Sequence, residues 1–93
     1  MSAEYRAAII GHTGQGNYGH GLDMVYARMP EVEVVAVADP DPKGLAAAGK
    51  RTGAARCYAD YREMLGKEEV ELVNVCPRVV TLHAEMAIAA AEA

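Results

Sequence analysis

The sequence predicts one α/β domain built on a parallel β-sheet, and three observations lead to this prediction. Short apolar and β-branched runs alternate with segments of helical periodicity, which is the pattern of βαβ units. The segments that join them are short, so successive strands are expected to be parallel, with right-handed crossovers. The chain has 93 residues, a length that suits a single domain with a modest core. We therefore treat residues 1–93 as one domain.

Composition and charge exclude several classes of function. Apolar residues make up 52% of the chain, but Trp and Phe are missing, so the core is expected to be aliphatic. The net charge is −4 and the arginines are scattered singly, which argues against a nucleic-acid partner. Two cysteines are too few for a disulfide framework, and a cytoplasmic location is expected. The N-terminus lacks the features of a signal peptide, and no apolar run is long enough to span a bilayer.

The first predicted strand, residues 5–10, leads into a glycine-rich segment. Its apolar end, Ala7 to Ile10, is typical of a strand that is buried on both faces. Residues 11–21 then contain five of the nine glycines. Backbone with so few side chains either turns sharply or lets a ligand approach closely, and we interpret this segment as a pyrophosphate-binding loop.

The rest of the chain continues the alternation of helices and strands. Apolar residues spaced at helical intervals predict a helix over residues 20–29, ended by Pro30, and a strand follows at 32–38. Asp41 and Gly53 are expected to cap a helix from Pro42 to about Thr52. Further elements are predicted as a strand at 56–58, a helix at 61–65 capped by Asp60 and ended by Gly66, a strand at 70–76, and a helix at 81–92.

The simplest arrangement of these elements is a three-layer, Rossmann-like parallel sheet with strand order 3-2-1-4. This is the first half of a doubly wound fold with one further strand. The strand order reverses between strands 1 and 4, so a crevice is expected at their carboxyl ends. The glycine-rich segment and Cys76-Pro77 would both open onto that crevice.

The glycine segment contains the sequence Gly-x-Gly-x-x-Gly at residues 14–19, and Asp39 lies 20 residues beyond Gly19. After a strand and before a helix, this pattern predicts a dinucleotide site, with the phosphates at the helix N-terminus. A second register starts at Gly11, directly after the strand, and places Thr13 at the second glycine position. We favour the register from Gly14, with a lengthened loop to which Thr13 adds a hydroxyl.

Asp39 is interpreted as the acceptor for the adenosine ribose hydroxyls. A carboxylate there would repel a 2′-phosphate, so NAD is the expected cofactor, while Lys43 keeps NADP open as an alternative. The structural alternatives are a glycine loop that is only a flexible turn, and an Asp39 that only forms a turn before Pro40. No metal site is expected at His83, the cysteines are expected to be buried, and we assign no catalytic residue.

Taken in order, these segments resemble the N-terminal domain of the glucose-fructose oxidoreductase and inositol dehydrogenase family (Gfo/Idh/MocA). The resemblance covers nearly the whole chain, and its most specific parts are Ala-Asp-Pro-Asp at 38–41 and Asp-Tyr-x-x-x-Leu at 60–65. It implies NAD or NADP as the cofactor. The implied reaction oxidises or reduces a hydroxyl carbon of a sugar, polyol or related compound. It also implies that Pro77 lies beside the cofactor, although Cys76 and Arg78 replace the family's Thr and Asn there. The candidate cofactor-binding residues are Gly11, Thr13, Gly14, Gly16, Asn17, Gly19, Asp39 and Pro77.

The resemblance further implies that substrate chemistry lies outside this sequence. The family's catalytic lysine, in a Glu-Lys-Pro motif, and its active-site Asp and His come later in the chain. We therefore expect cofactor binding without turnover, with a small-molecule substrate only in a longer form. The alternatives are a free-standing nucleotide-binding or sensing module and a structural fragment with an empty loop. The open edge of the last strand is expected to favour self-association.

Overall fold

A computed structural model describes residues 5–14, 29–76, 86–88, 90 and 91 of the chain. Its sheet has four parallel strands in the order β3-β2-β1-β4. The strands are β1 (Tyr5–Ile10), β2 (Val32–Ala38), β3 (Arg56–Tyr58) and β4 (Leu72–Val75), and the helices are α1 (Pro42–Thr52) and α2 (Tyr61–Lys67). The predicted Rossmann-like strand order is confirmed.

Strand β1 lies inside the sheet, between β2 and β4. Its residues Ala7 to Ile10 are fully buried, as their uninterrupted apolar sequence predicts. The pairing of β1 with β2 shifts between Ala7 and Ala8, which lie opposite Val34 and Ala36. Val35 is therefore an extra residue in β2, and the strand forms a β-bulge there.

Two apolar clusters pack on the two faces of the sheet and make a three-layer structure. On one face, Ile9 and Val37 pack with Ala48 of α1. On the other face, Ile10 belongs to the cluster that contains Met64 of α2 and Met86. The core is aliphatic, as the composition predicts.

Helix α1 has the predicted bounds because both of its ends are capped by side-chain or backbone groups. The Asp41 carboxylate accepts a hydrogen bond from the Gly44 N–H at 2.8 Å, and Pro42 occupies the first turn. Gly53 follows the last residue in the left-handed conformation, with φ of 73°. Its N–H donates to the Gly49 carbonyl at 3.0 Å.

Helix α2 starts after Asp60 as predicted, but the prediction that Gly66 ends it is wrong. The helix continues through Gly66 to Lys67, and the N–H of Glu68 donates to the Met64 carbonyl at 2.9 Å. A glycine inside a helix destabilises it by only about 1 kcal/mol, which tertiary contacts readily offset. Here the Glu68 side chain is held by Arg56 and Tyr58, so the contacts that fix the end of the helix come from β3.

Four other predictions differ from the structure or lie partly outside it. Strand β4 (Leu72–Val75) is shorter than the predicted strand at 70–76. Cys57 is exposed, although the sequence predicts that both cysteines are buried, whereas Cys76 is buried as expected. Residues 86–88, 90 and 91 are helical, within the helix predicted at 81–92. The helix predicted at 20–29 lies outside the described residues, except for Met29. In the described part of the chain, no helix is long and apolar enough to cross a membrane.

Candidate functional site

The candidate site lies at the carboxyl edge of the sheet, where the segments after β1, β2 and β4 meet. The Gly11 N–H donates to the Ala38 carbonyl at 2.9 Å, so Gly11 and Asp39 leave the sheet side by side. On the other side of β1, the Cys76 N–H donates to the Ile10 carbonyl at 2.9 Å. Because the strand order reverses between β1 and β4, this edge is the position at which doubly wound folds bind their ligands.

Asp39 is the central polar residue of this edge, and it is fully buried. Its carboxylate oxygen Oδ2 accepts a hydrogen bond from the Thr13 hydroxyl at 2.6 Å. The Thr13 N–H lies 3.2 Å from each carboxylate oxygen, and the Asp41 N–H donates to Oδ1 at 2.9 Å. A buried carboxylate requires such donors, because it has lost the hydrogen bonds that water would make.

Gly44 of α1 completes this arrangement by leaving room for the Thr13 side chain. A Cβ atom added to Gly44 would lie 1.8 Å from Oγ1 of Thr13, 2.8 Å from its Cβ and 3.0 Å from Oδ2 of Asp39. The first two of these distances are shorter than van der Waals contact allows. Helix propensity alone would make a glycine at this position unfavourable, whereas the structure shows that Gly44 lets α1 approach the loop closely.

Only some of the predicted loop residues lie within the part of the chain that the structure describes. Gly11 is buried at the end of β1, and Gly14 has φ of 86°, a conformation that glycine adopts easily. Gly16, Asn17, Gly19 and Pro77 lie outside the described residues. The Thr13 hydroxyl, which we expect to add to the phosphate loop, donates to Asp39 in this structure.

A second polar cluster surrounds Glu68, the residue that follows α2. The Glu68 carboxylate accepts hydrogen bonds from Nη2 of Arg56 at 2.7 Å and from the Tyr58 hydroxyl at 2.6 Å, and Arg56 Nε donates to it as well. Nη2 of Arg6 lies 3.8 Å away. Chiefly through the hydrogen bonds from Arg56, these groups lower the pKa of Glu68 from 4.5 to about 2. The cluster joins β1, β3 and the residue that follows α2, so it stabilises the fold.

The sequence offers no signal for the Glu68 cluster, since its members are far apart in the chain and ordinary surface residues by type. The described residues likewise contain no group of three or more His, Cys, Asp or Glu side chains that could hold a metal ion. The donors to the Asp39 carboxylate from the described part of the chain include the Thr13 hydroxyl, the Thr13 N–H and the Asp41 N–H.

Comparison with protein families identifies the family and supports the fold. Residues 5–93 match the model of the family described as "Oxidoreductase family, NAD-binding Rossmann fold", the Gfo/Idh/MocA family. The chain belongs to this family. The match covers the whole sheet, the glycine segment and Asp39, so the predicted resemblance is confirmed. The family binds a nicotinamide dinucleotide, and the Rossmann-type edge described above is where such a cofactor binds.

Solved structures of family members have the same fold. The chain is similar to myo-inositol 2-dehydrogenase from Lactobacillus plantarum, with 29% identity and a TM-score of 0.71 over 95% of this chain and 25% of that one. It is 26% identical to levoglucosan dehydrogenase in complex with NADH and L-sorbose, with a TM-score of 0.70 over 99% and 26% of the two chains.

An NAD-binding oxidoreductase from Klebsiella pneumoniae is 28% identical, with a TM-score of 0.66 over 95% of this chain and 24% of that chain. The present chain thus spans about a quarter of the length of these proteins. A search of the curated proteins found no match to this sequence.

Proposed function

We propose that this chain is the NAD-binding part of an oxidoreductase that acts on the CH–OH group of a sugar, polyol or related compound. When bound, NAD supplies the hydride acceptor, and the protein supplies binding and orientation. The chain matches only a quarter of the length of its solved relatives, so we assign the substrate chemistry to a longer form. The chain itself is expected to bind cofactor without turnover.

The observation that carries this proposal is the position of Asp39. Asp39 directly follows β2, adjoins the segment that follows β1, and lies beside Gly44 in the first turn of α1. This is where a Rossmann domain places the acid that accepts the ribose hydroxyls. The residues present therefore fit a dinucleotide. We assign the phosphate contacts to the loop residues Gly11, Thr13, Gly14, Gly16, Asn17 and Gly19, and a flanking position to Pro77.

The same carboxylate supports NAD rather than NADP as the cofactor. Donors from Thr13 and Asp41 stabilise its negative charge, and that charge repels the 2′-phosphate of NADP. Lys43 follows Asp39 closely enough to attract a phosphate, but it belongs to the exposed part of α1. We propose that the nearer charge of Asp39 determines the preference.

Replacing Asp39 by asparagine tests the site and the cofactor preference together. We expect Asp39→Asn to shift the ratio of the NAD and NADP affinities about tenfold towards NADP, because a charged acceptor becomes a neutral amide that no longer repels the 2′-phosphate. NADP binding should weaken less or improve, since the repulsion is removed. Isothermal titration calorimetry with both cofactors measures the two affinities, and circular dichroism verifies that the variant is folded.

Asp60→Asn is the matched control, because Asp60 is also an acid that precedes a helix but lies at the start of α2. Its carboxylate accepts from the Arg62 N–H at 2.9 Å, a bond that asparagine also makes. We expect this control to bind both cofactors like the original chain. If the original chain releases no heat with millimolar NAD, the proposed function is wrong. If Asp39→Asn leaves the ratio of the two affinities unchanged, Asp39 is not part of the site.

A further inference from the structure

The hydroxyl of Thr13 occupies an acceptor that the bound cofactor would also need. Asp39 is fully buried, and Oδ2 of its carboxylate already accepts the Thr13 hydroxyl at 2.6 Å. The same oxygen accepts from the Thr13 backbone N–H at 3.2 Å, so both of its lone pairs are engaged, and a ribose hydroxyl that approaches it must displace one of these donors. The question is which of the donors around Asp39 can leave at the lowest energetic cost.

Two of the donors from the described residues are fixed by the backbone. The N–H groups of Thr13 and Asp41 follow the course of the chain, and moving either one would require a change at the end of β1 or the start of α1. The Thr13 hydroxyl differs, because rotation about a single side-chain torsion carries it from one staggered position to another. It is therefore the donor most readily exchanged for a ligand hydroxyl.

Gly44 provides the space in which this exchange takes place. Oγ1 of Thr13 lies within the volume that a side chain at position 44 would occupy, beside Oδ2 of Asp39. The backbone conformation at Gly44 is ordinary for a helix, with no positive φ. The glycine is therefore required for space rather than for its conformational freedom. The Thr13 hydroxyl fills this space next to the carboxylate.

On the basis of the proposed function, we propose that Thr13 regulates the affinity of the ribose subsite by direct competition. Its hydroxyl and a hydroxyl of the adenosine ribose alternate as the donor to Oδ2 of Asp39, in the space left by Gly44. Thr13 is thus a specificity-determining residue that acts through Asp39. Its hydroxyl satisfies the buried Asp39 carboxylate when no ribose hydroxyl is bound. It therefore lowers the net binding free energy that the ribose contact contributes.

The test compares Thr13→Ser, which keeps the hydroxyl, with Thr13→Ala, which lacks it. The probes are NAD and an NAD analogue that lacks the 2′- and 3′-hydroxyls of the adenosine ribose, and calorimetry measures both affinities. In the original chain and in Thr13→Ser, loss of the ribose hydroxyls should weaken binding about twofold or less, because the side-chain hydroxyl at position 13 resumes the bond. In Thr13→Ala, loss of the ribose hydroxyls should weaken binding about fivefold or more, since no side-chain hydroxyl at position 13 then replaces the lost donor to Oδ2.

The competition also predicts opposite changes in stability and affinity. Thr13→Ala should melt at a lower temperature than Thr13→Ser, and it should bind NAD at least as tightly. A Thr13→Ala protein that binds NAD more weakly than Thr13→Ser overturns the inference, as does an equal penalty for the analogue in both variants. Absence of NAD binding by the original chain overturns the proposed function and the inference with it.

A measurement on the original chain gives the test a second form, independent of the folding of any variant. Three-bond couplings between the Thr13 methyl carbon and the backbone report the side-chain torsion by NMR. We expect these couplings to change when NAD is added and to stay constant when the analogue is added. Couplings that respond equally to both ligands, or to neither, contradict an exchange at Thr13.

Discussion

Replacing Gly44 by alanine is expected to destabilise the protein by about 2–3 kcal/mol, the range of a severe overpacking substitution. The added Cβ would lie 1.8 Å from Oγ1 and 2.8 Å from Cβ of Thr13. Both atoms belong to Thr13, which follows β1 by three residues, so neither moves without disturbing its hydrogen bonds to the Asp39 carboxylate. Urea denaturation followed by circular dichroism measures the change in the free energy of unfolding.

Gly66→Ala is the control for this prediction, because Gly66 also lies inside a helix. A Cβ added there would have no atom within 4 Å, so alanine should stabilise α2 by up to about 1 kcal/mol through its helix propensity. A Gly44→Ala protein as stable as the original would show that α1 does not approach Thr13 closely. Combining Gly44→Ala with Thr13→Gly should recover part of the loss, since Thr13→Gly removes both clashing atoms.

Replacing Glu68 by glutamine is expected to destabilise the protein by about 1–3 kcal/mol at neutral pH. The Glu68 side chain is only 4% exposed, and its carboxylate accepts hydrogen bonds from Arg56 and Tyr58. Glutamine has one oxygen, and its amide nitrogen would face the Arg56 guanidinium, donor against donor. The loss should appear as a lower urea midpoint with an unchanged slope.

The control for Glu68 is Glu63→Gln on the surface of α2. Glu63 pairs with Lys67 at 3.6 Å, but both side chains are more than half exposed, and such pairs contribute little. This variant should lie within about 0.5 kcal/mol of the original. Equal effects of the two substitutions would mean that the Glu68 cluster does not stabilise the fold.

The lowered pKa of Glu68 also predicts a pH dependence of stability. Its pKa is about 2 in the folded protein and near 4.5 when unperturbed, so unfolding is accompanied by proton uptake between these values. The contribution of Glu68 is therefore complete above pH 4.5 and is lost as the pH falls from 4.5 towards 2. Urea titrations of the original chain and Glu68→Gln should show their difference in unfolding free energy shrinking over this interval.

The candidate site could be predicted in outline, because its parts follow chain-local rules. The end of β1, the positive φ of Gly14 and the capping of α1 by Asp41 all depend on residues close in sequence. The position of Asp39 at the end of β2 follows for the same reason. The partners of Asp39 could not be predicted, since Thr13 reaches it across 26 residues of sequence and only the pairing of β1 with β2 brings the two together.

By itself, the sequence determined the strand order, the family resemblance and the position of the acid after β2. Periodicity, turn residues and the handedness of crossovers are properties of short segments, and together they leave few topologies. Only the tertiary structure decided that α2 continues through Gly66 to Lys67 and that Gly44 lies against the Thr13 side chain. The same holds for the hydrogen bond from the Thr13 hydroxyl to the buried Asp39 carboxylate. These features depend on distances between atoms of different elements, which packing of the whole sheet determines.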